Sequence, residues 1–217
     1  KHLISASTSS VYGANKVSRF NAKMPVGHPI QFYAATKRSN EIIGHAYSHI
    51  YKLPITFLRF FTVYGPWGRP DMALFLFVKN ISANKPINVF NFGKHSRDFT
   101  YVDDIVSGIF KVINKIPKIN KKWDSKKLDQ SSSLAPFKIL NLGSGKRISL
   151  MKYINVIEKQ LGKKATIKYF KMQTGDIQDS LSDIKETKKY INFKPKIGIE
   201  KGIRNFINWY KNYYKKV

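Results

Sequence analysis

The chain has 217 residues, of which 42% are hydrophobic and 14% aromatic, and its 39 Lys and Arg against 13 Asp and Glu give a formal net charge of +26. This length and apolar content suit about one domain with a buried core and exclude a disordered basic tail. The absence of cysteine excludes disulfides and thiolate metal sites. No apolar run approaches the roughly 20 residues that span a bilayer.

The pattern of apolar and turn residues predicts strands that alternate with helices. In chain order it predicts a strand at 3–6, a hydroxyl-rich turn at 5–10, a helix at 31–51, a strand at 55–61, a helix at 71–83 capped by Asp71, a strand at 88–92, a helix at 103–115, a polar loop at 118–135, a strand at 139–142, a helix at 149–161 capped by Ser149, a strand at 166–170, and helices at 183–190 and 199–214. This alternation indicates an α/β fold with a parallel sheet.

The positive charge has two interpretations. A basic surface attracts acidic ligands such as nucleic acid. However, only 7 of the 39 basic residues are Arg, and Lys is spread along the whole chain together with 25 Ile and 15 Asn. Proteins that read specific DNA sequences rely on arginine for base contacts. The excess of Lys, Ile and Asn therefore favours a genome-wide drift in amino-acid composition over a nucleic-acid-binding function.

One Tyr-x-x-x-Lys pair, Tyr33 and Lys37, has a context that suggests catalysis. Three such pairs occur, about as many as chance predicts, but only this one lies early in a long predicted helix and follows a strand that ends in hydroxyl residues, among them Thr8. An ammonium one helical turn away favours the deprotonated phenol, which is then a general base. The alternative is an exposed helix pair worth a few tenths of a kcal/mol.

Longer segments of the sequence resemble a known family. In chain order they are Ser7-Thr-Ser-Ser-Val-Tyr-Gly13, Tyr33-Ala-Ala-Thr-Lys37, Leu58-Arg-Phe-Phe-Thr-Val-Tyr-Gly-Pro-Trp-Gly-Arg-Pro-Asp-Met72, Arg97-Asp-Phe-Thr-Tyr-Val-Asp-Asp104, Leu140-Asn-Leu-Gly143, Met172-Gln-Thr-Gly-Asp176 and Trp209-Tyr-Lys-Asn-Tyr-Tyr214. The chain is similar to the NAD-dependent nucleotide-sugar epimerases and dehydratases, an extended branch of the short-chain dehydrogenases/reductases, and most of all to the UDP-glucuronate 4-epimerases.

The resemblance implies the C-terminal portion of a Rossmann-like doubly wound parallel sheet plus a small α/β substrate-binding subdomain. Residues 1–70 would belong to the dinucleotide-binding domain and residues 71–217 mainly to the nucleotide-sugar-binding subdomain, with about 97–115 and 138–145 returning to the Rossmann sheet. The implied activity is NAD-dependent 4-epimerisation of a UDP-sugar, UDP-glucuronate to UDP-galacturonate, by transient oxidation at C4. NAD is then a bound cofactor of a cytoplasmic enzyme of capsule or polysaccharide biosynthesis.

The resemblance also implies roles for individual residues. It implies no metal site. The catalytic residues would be Thr8, Tyr33 and Lys37. The nicotinamide end of NAD would contact Tyr33, Lys37, Phe60 and Phe61. Substrate binding would involve Thr8, Ser9, Ser10, Thr62 and Arg69 around the sugar, Arg97 at the diphosphate, and Asn88 and Phe90 near the uracil.

Each of these roles has a structural alternative. Phe60 and Phe61 also suit the core of a strand, and the serine run also suits a turn that caps backbone groups. Arg97 also suits an ion pair with Asp98 or Asp104. No carboxylate follows Thr8 in this sequence, whereas the family's dehydratases and decarboxylases usually carry one there, so the sequence favours simple epimerisation.

The Gly-rich turn with which this family holds the pyrophosphate of NAD does not occur in the sequence. We therefore expect residues ahead of Lys1, and we expect the predicted strands at 3–6 and 55–61 to be left with open edges. The chain would be a fragment, one product of a split gene or a decaying remnant. It would act with an N-terminal partner chain or as a homodimer. The alternatives are an inactive remnant that binds a UDP-sugar and a basic nucleic-acid-binding protein.

Overall fold

The computed structural model describes residues 1–17 and 19–214. The strands are β1 (Leu3–Thr8), β2 (Ile55–Phe60), β3 (Thr62–Tyr64), β4 (Ile87–Val89), β5 (Ser96–Arg97), β6 (Phe99–Tyr101), β7 (Phe137–Leu142), β8 (Ile148–Ser149) and β9 (Ile167–Tyr169). The helices are α1 (Phe32–Tyr51), α2 (Ala73–Ser82), α3 (Val102–Ile113), α4 (Leu150–Leu161), α5 (Lys185–Ile191) and α6 (Ile199–Tyr214).

The main sheet is parallel, in the order β1-β2-β7. Its two faces separate the apolar residues of β2: Phe57 packs towards α1 and Leu58 towards α3 and α5. Because both faces are covered, β2 is largely apolar and buried along its length, with Thr56 and Arg59 as its polar residues. Gly44 allows α1 to approach closely, since a Cβ at that position would lie 2.5 Å from the Phe57 ring. The predicted α/β parallel fold is confirmed.

A second core lies among α2, α4 and α6 and includes Phe75, Tyr153 and Phe206. Three short strand pairs accompany it: β3 with β6, β4 with β9, and β5 with β8. The segments at about 97–115 and 138–145 were predicted to return to the main sheet. Strand β7 does join that sheet and α3 packs against it, whereas β5 pairs with β8 and β6 pairs with β3. The division into two domains stays a prediction.

Several predicted boundaries were wrong. Strand β1 continues to Thr8, so the hydroxyl-rich turn is confined to a 3-10 turn at Ser9–Tyr12. Strand β4 ends at Val89 because Asn91 and Phe92 adopt left-handed backbone angles, each with φ of 49°. Helix α2 begins two residues after Asp71, whose carboxylate accepts a hydrogen bond from Arg69 instead of capping the helix.

Other local predictions are confirmed. The Ser149 hydroxyl accepts a hydrogen bond from the Lys152 amide at 3.2 Å and so caps α4. Residues 118–135 form neither a helix nor a strand. The open edge expected for residues 55–61 was wrong, because β2 lies between β1 and β7; β1 is at the edge of this sheet. Within the described residues, no helix has the length and apolar character needed to cross a membrane.

Candidate active site

The carboxyl ends of β1 and β2 open onto a cavity of about 760 Å³. This is the edge at which parallel α/β sheets bind ligands. Eight of the residues predicted from the sequence line it: Thr8, Ser9, Ser10, Tyr33, Phe60, Phe61, Thr62 and Arg69. The fold therefore brings together residues that are up to 61 positions apart in the chain.

The hydroxyl residues enter the cavity wall through a tight turn. The Thr8 hydroxyl oxygen accepts a hydrogen bond from the Ser10 amide at 3.1 Å, and its hydroxyl donates to Ser10 Oγ at 3.3 Å. The turn ends at Gly13, whose φ is +52° and where a Cβ would lie 2.0 Å from the His28 carbonyl oxygen. Thr8 thus caps backbone, as in the structural alternative, while Thr8, Ser9 and Ser10 still line the cavity.

Helix α1 carries Tyr33 in its first turn and Lys37 one turn later. The Tyr33 side chain is 53% exposed and belongs to the cavity wall. The Lys37 ammonium donates a hydrogen bond to the Ala6 carbonyl oxygen of β1 at 3.4 Å. The phenol is thus at the cavity that Thr8 lines, and the ammonium lies against the strand that ends in Thr8.

The aromatic residues at the end of β2 have both of the predicted environments. Phe61 is buried, and its ring centroid lies 6.3 Å from that of Tyr12, as expected for a core residue. Phe60 is half-buried, and both rings also line the cavity. A flat apolar wall of this kind is suited to contact with a planar ring.

The loop 65–72 forms the outer rim of the cavity. Its Arg69 is exposed and pairs with Asp71 at 3.2 Å. Trp67 has a φ of 62° and is 72% exposed, and its ring lies 5.3 Å from Trp209 and 5.1 Å from Tyr213 of α6. Among the described residues that line the cavity, none is acidic. The cavity lining therefore offers hydroxyls and a guanidinium to an anion, while the Asp71 carboxylate of the rim loop is paired with that guanidinium.

Three predicted substrate residues lie away from this cavity wall. Asn88 is exposed on β4, and Phe90 is half-buried with its ring 5.5 Å from that of Phe170. Arg97 donates to the Asp176 carboxylate at 2.9 Å and to the Gln178 carbonyl oxygen at 2.8 Å. Burial lowers the pKa of Arg97, while Asp176 and Asp179 oppose that effect.

The alternative ion pair of Arg97 with Asp98 or Asp104 does not form, because both carboxylates are committed to backbone amides and Arg97 pairs with Asp176. Asp98 accepts hydrogen bonds from the amides of Ser144, Gly145 and Ser182. Asp104 accepts from the amides of residues 196 and 197. The true partner, Asp176, is 79 residues from Arg97 in the chain, and no spacing rule connects them.

The sequence prediction missed a buried ion pair behind the cavity. Glu41 of α1 accepts hydrogen bonds from Arg59 Nε at 2.8 Å and Arg59 Nη2 at 2.9 Å, and both side chains are fully buried. Burial raises the pKa of Glu41, but hydrogen bonds from Arg59, Ser7 and Arg38 outweigh it and hold that pKa below its usual value. The available signal was a lone charge, Arg59, within the apolar strand predicted at 55–61.

Across residues 1–17 and 19–214, no group of three or more His, Asp and Glu side chains is arranged to hold an ion.

The parallel sheet and the hydroxyl-lined cavity at its carboxyl edge are features of Rossmann-like α/β proteins. Residues 1–123 match the NAD dependent epimerase/dehydratase family, and the chain belongs to that family. The family predicted from the sequence is thereby confirmed.

Similar proteins agree with this assignment. The chain is 48% identical over 216 residues to Protein CapI of Staphylococcus aureus, covering 100% of this chain and 65% of CapI. It is 40% identical over 217 residues to UDP-glucuronate 4-epimerase 1 of Arabidopsis thaliana, covering 98% and 49%. The structure of UDP-glucuronic acid 4-epimerase from Bacillus cereus in complex with UDP-glucuronic acid and NAD superposes with a TM-score of 0.83 at 30% identity, covering 97% and 62%. The chain thus spans between about half and two thirds of these proteins.

Proposed function

We propose that this chain is the catalytic and sugar-binding part of an NAD-dependent UDP-sugar 4-epimerase whose substrate is UDP-glucuronate and whose product is UDP-galacturonate. The observation that carries the proposal is that Thr8 and Tyr33 line one cavity, with the Lys37 ammonium against the strand that ends in Thr8. The similarity to UDP-glucuronate 4-epimerases supports the reaction and the substrate.

The residues present fit the nicotinamide half of NAD. The rings of Phe60 and Phe61 offer a flat apolar wall, and the Tyr33 hydroxyl and Lys37 ammonium are suitable donors for ribose hydroxyls. When bound, NAD supplies the acceptor and donor of hydride at C4 of the sugar. No Gly-rich pyrophosphate turn occurs in this sequence, so we assign the other half of NAD to a segment outside it.

The chain's own residues handle the proton. Tyr33 removes the proton of the C4 hydroxyl when that carbon is oxidised and returns it when the carbon is reduced from the other face. The Thr8 hydroxyl holds the reacting oxygen in place by a hydrogen bond. Lys37 favours the deprotonated phenol through its positive charge.

The absence of an acidic residue from the described cavity lining supports the choice of a uronate. The hydroxyls of Ser9, Ser10 and Thr62 donate hydrogen bonds to the sugar carboxylate, and the exposed Arg69 attracts it electrostatically. We assign Arg97 to the diphosphate and Asn88 and Phe90 to the uracil, as the resemblance implies. Since Arg97 pairs with Asp176 in this structure, its guanidinium must exchange that carboxylate for phosphate oxygens or bind both.

The proposal is tested by incubating the chain with NAD⁺ and UDP-glucuronate and measuring UDP-galacturonate by anion-exchange chromatography. The chain is assayed alone and mixed with the part of Protein CapI that lies outside the match, about a third of that protein. Product that disappears in Tyr33→Phe supports the proposal. Absence of product in both assays refutes catalysis. Calorimetric binding of UDP-glucuronate in that case identifies a non-catalytic sugar-binding protein.

We propose that α1 also mediates a homodimer. Its outer surface exposes Ile42, Ile43, Tyr47 and Ile50, each more than half exposed. Apolar residues grouped on one exposed helix face are typical of a protein interface. Light scattering at two protein concentrations tests this, and a Tyr47→Glu variant is expected to be monomeric. A monomeric mass for the unmodified chain at both concentrations would contradict it.

A further inference from the structure

The buried Glu41 carboxylate joins three segments that carry proposed site residues. It belongs to α1 and lies one turn after Lys37 and two turns after Tyr33. Besides its paired hydrogen bonds from Arg59 of β2, it accepts one from the Ser7 hydroxyl of β1 at 2.6 Å. Helix and both strands are therefore tied at one carboxylate.

The register of the two strands gives this contact a defined place. Ser7 and Arg59 are direct neighbours across β1 and β2, and the next pair along is Thr8 and Phe60. Both residues of the first pair bind Glu41, and both residues of the second line the cavity. The Glu41 carboxylate thus fixes α1 to β1 and β2 at the strand residues that directly precede the two cavity-lining residues Thr8 and Phe60.

The same cluster also contacts the 3-10 turn at Ser9–Tyr12 and, through that turn, strand β7 of the main sheet. The Arg59 guanidinium carbon lies 4.9 Å from the centroid of the Tyr12 ring, at the end of the 3-10 turn. The Tyr12 hydroxyl donates to Asn141 Oδ1 of β7 at 2.7 Å. Arg59 therefore orders the turn as well as the helix.

On the outer side, the polar loop 118–135 completes the cluster. Arg38 donates to Glu41 at 3.0 Å and to Gln130 of that loop at 3.1 Å. The four hydrogen bonds to Glu41 come from Ser7, Arg38 and Arg59, so each carboxylate oxygen has two donors. A carboxylate saturated in this way has one orientation, and so does the helix that carries it.

We propose that Ser7, Glu41 and Arg59 are positioning residues that set the distance between Tyr33 and Thr8, a proposal that rests on the proposed function. Stability alone is a poor explanation of the cluster, because apolar side chains of similar volume replace buried ion pairs at little loss. The two hydrogen bonds from Arg59 and the one from the Ser7 hydroxyl instead fix the orientation of the Glu41 side chain and of α1, which carries it. A displacement of about 1 Å between reacting groups lowers turnover by up to about a hundredfold.

The kinetic test compares Ser7→Ala with Ser39→Ala. Ser7→Ala removes one link between α1 and β1 and leaves Glu41 paired with Arg59, so the chain is expected to fold. Ser39 is a matched control on α1, since its hydroxyl donates only within the helix, to the Ala35 carbonyl oxygen at 3.0 Å. Both are assayed in the mixture that shows epimerase activity.

In Ser7→Ala we expect kcat to fall about tenfold, with KM for UDP-glucuronate within about twofold and Tm within a few degrees of the unmodified chain. Ser39→Ala is expected to keep both kinetic constants. A Ser7→Ala variant with unchanged kcat, or with loss of kcat only in proportion to unfolded protein, overturns the proposal.

A structural readout separates this inference from the proposed function. Crystal structures of the unmodified chain and of Ser7→Ala give the separation of the Tyr33 and Thr8 hydroxyl oxygens without any need for turnover. We expect it to change by about 1 Å in Ser7→Ala. An identical separation overturns the positioning role even if the chain is an epimerase, whereas a changed separation in a chain without product refutes only the proposed reaction.

Discussion

Asp98 is a buried carboxylate that accepts hydrogen bonds from three main-chain amides and three hydroxyls, and Asp98→Asn tests how much stability they contribute. Its Oδ1 accepts from the Ser144 amide at 2.6 Å. Its Oδ2 accepts from the amides of Gly145 and Ser182, both at 3.0 Å. Hydroxyls of Ser144, Ser182 and Thr100 add further bonds.

Asparagine keeps the size of the side chain but replaces one acceptor by a donor. The hydroxyls can rotate, but the amides cannot, so at least one backbone N–H is left facing another N–H. An orphaned buried donor costs about 1–3 kcal/mol, and the remaining bonds lose the extra strength of a charged acceptor, about 1 kcal/mol each. We expect Asp98→Asn to lower the free energy of unfolding by about 3–5 kcal/mol. For a chain of this length the corresponding fall in Tm is roughly 6–20 °C.

The assay is urea unfolding at pH 7, followed by circular dichroism, with thermal unfolding as a second measurement. Asp103→Asn is the matched control, because Asp103 is exposed in the first turn of α3. Its loss is limited to a helix-dipole effect of about 0.3–1 kcal/mol. If Asp98→Asn costs no more than Asp103→Asn at an unchanged denaturant slope, the reasoning from unsatisfied amides is refuted.

Three further predictions follow from the site and the caps. Tyr33→Phe is expected to lower kcat by about 10²–10⁴-fold with UDP-glucuronate binding retained, measured by product formation and calorimetry; full turnover would exclude Tyr33 as the base. The pKa of Glu41 lies below its usual 4.5, so its contribution to stability is present above pH 4.5 and is lost as pH falls through the lowered value. Urea unfolding of Glu41→Gln should therefore show a flatter pH dependence below 4.5, and an unchanged slope contradicts this. Ser149→Ala is expected to cost about 1 kcal/mol through loss of the α4 cap, whereas no change would show that the bond to Lys152 contributes nothing.

The order and type of the main helices and strands could be predicted from the sequence because the spacing of apolar residues reflects which side of each element is buried. The short, mostly apolar and β-branched or aromatic segment that follows Pro54 predicted a buried strand, and β2 is such a strand covered on both faces. Local backbone chemistry was less predictable. Nothing in the apolar alternation at 88–92 signals the left-handed angles of Asn91 and Phe92 that end β4.

The same distinction applies to the site. Thr8 and Tyr33 could be found because a strand end and the first turn of the next helix are neighbours in a parallel fold, and both line the cavity. The partners of Arg97 and Arg59 depend on how distant segments pack. Asp176 and Glu41 were therefore out of reach of spacing arguments, although a single charge in a buried strand did demand a partner.

The packing of Trp67 against the aromatic rings of α6 has a practical consequence. Its indole is largely exposed at the rim of the cavity and packs against the half-buried Trp209, so one of the chain's three tryptophans lines the proposed sugar site and a second contacts it. Trp123 lies elsewhere, with its ring nitrogen donating to the Asp129 carbonyl oxygen. We therefore expect a nucleotide sugar that enters the cavity to change the intrinsic fluorescence of Trp67, so that binding can be titrated without an added label.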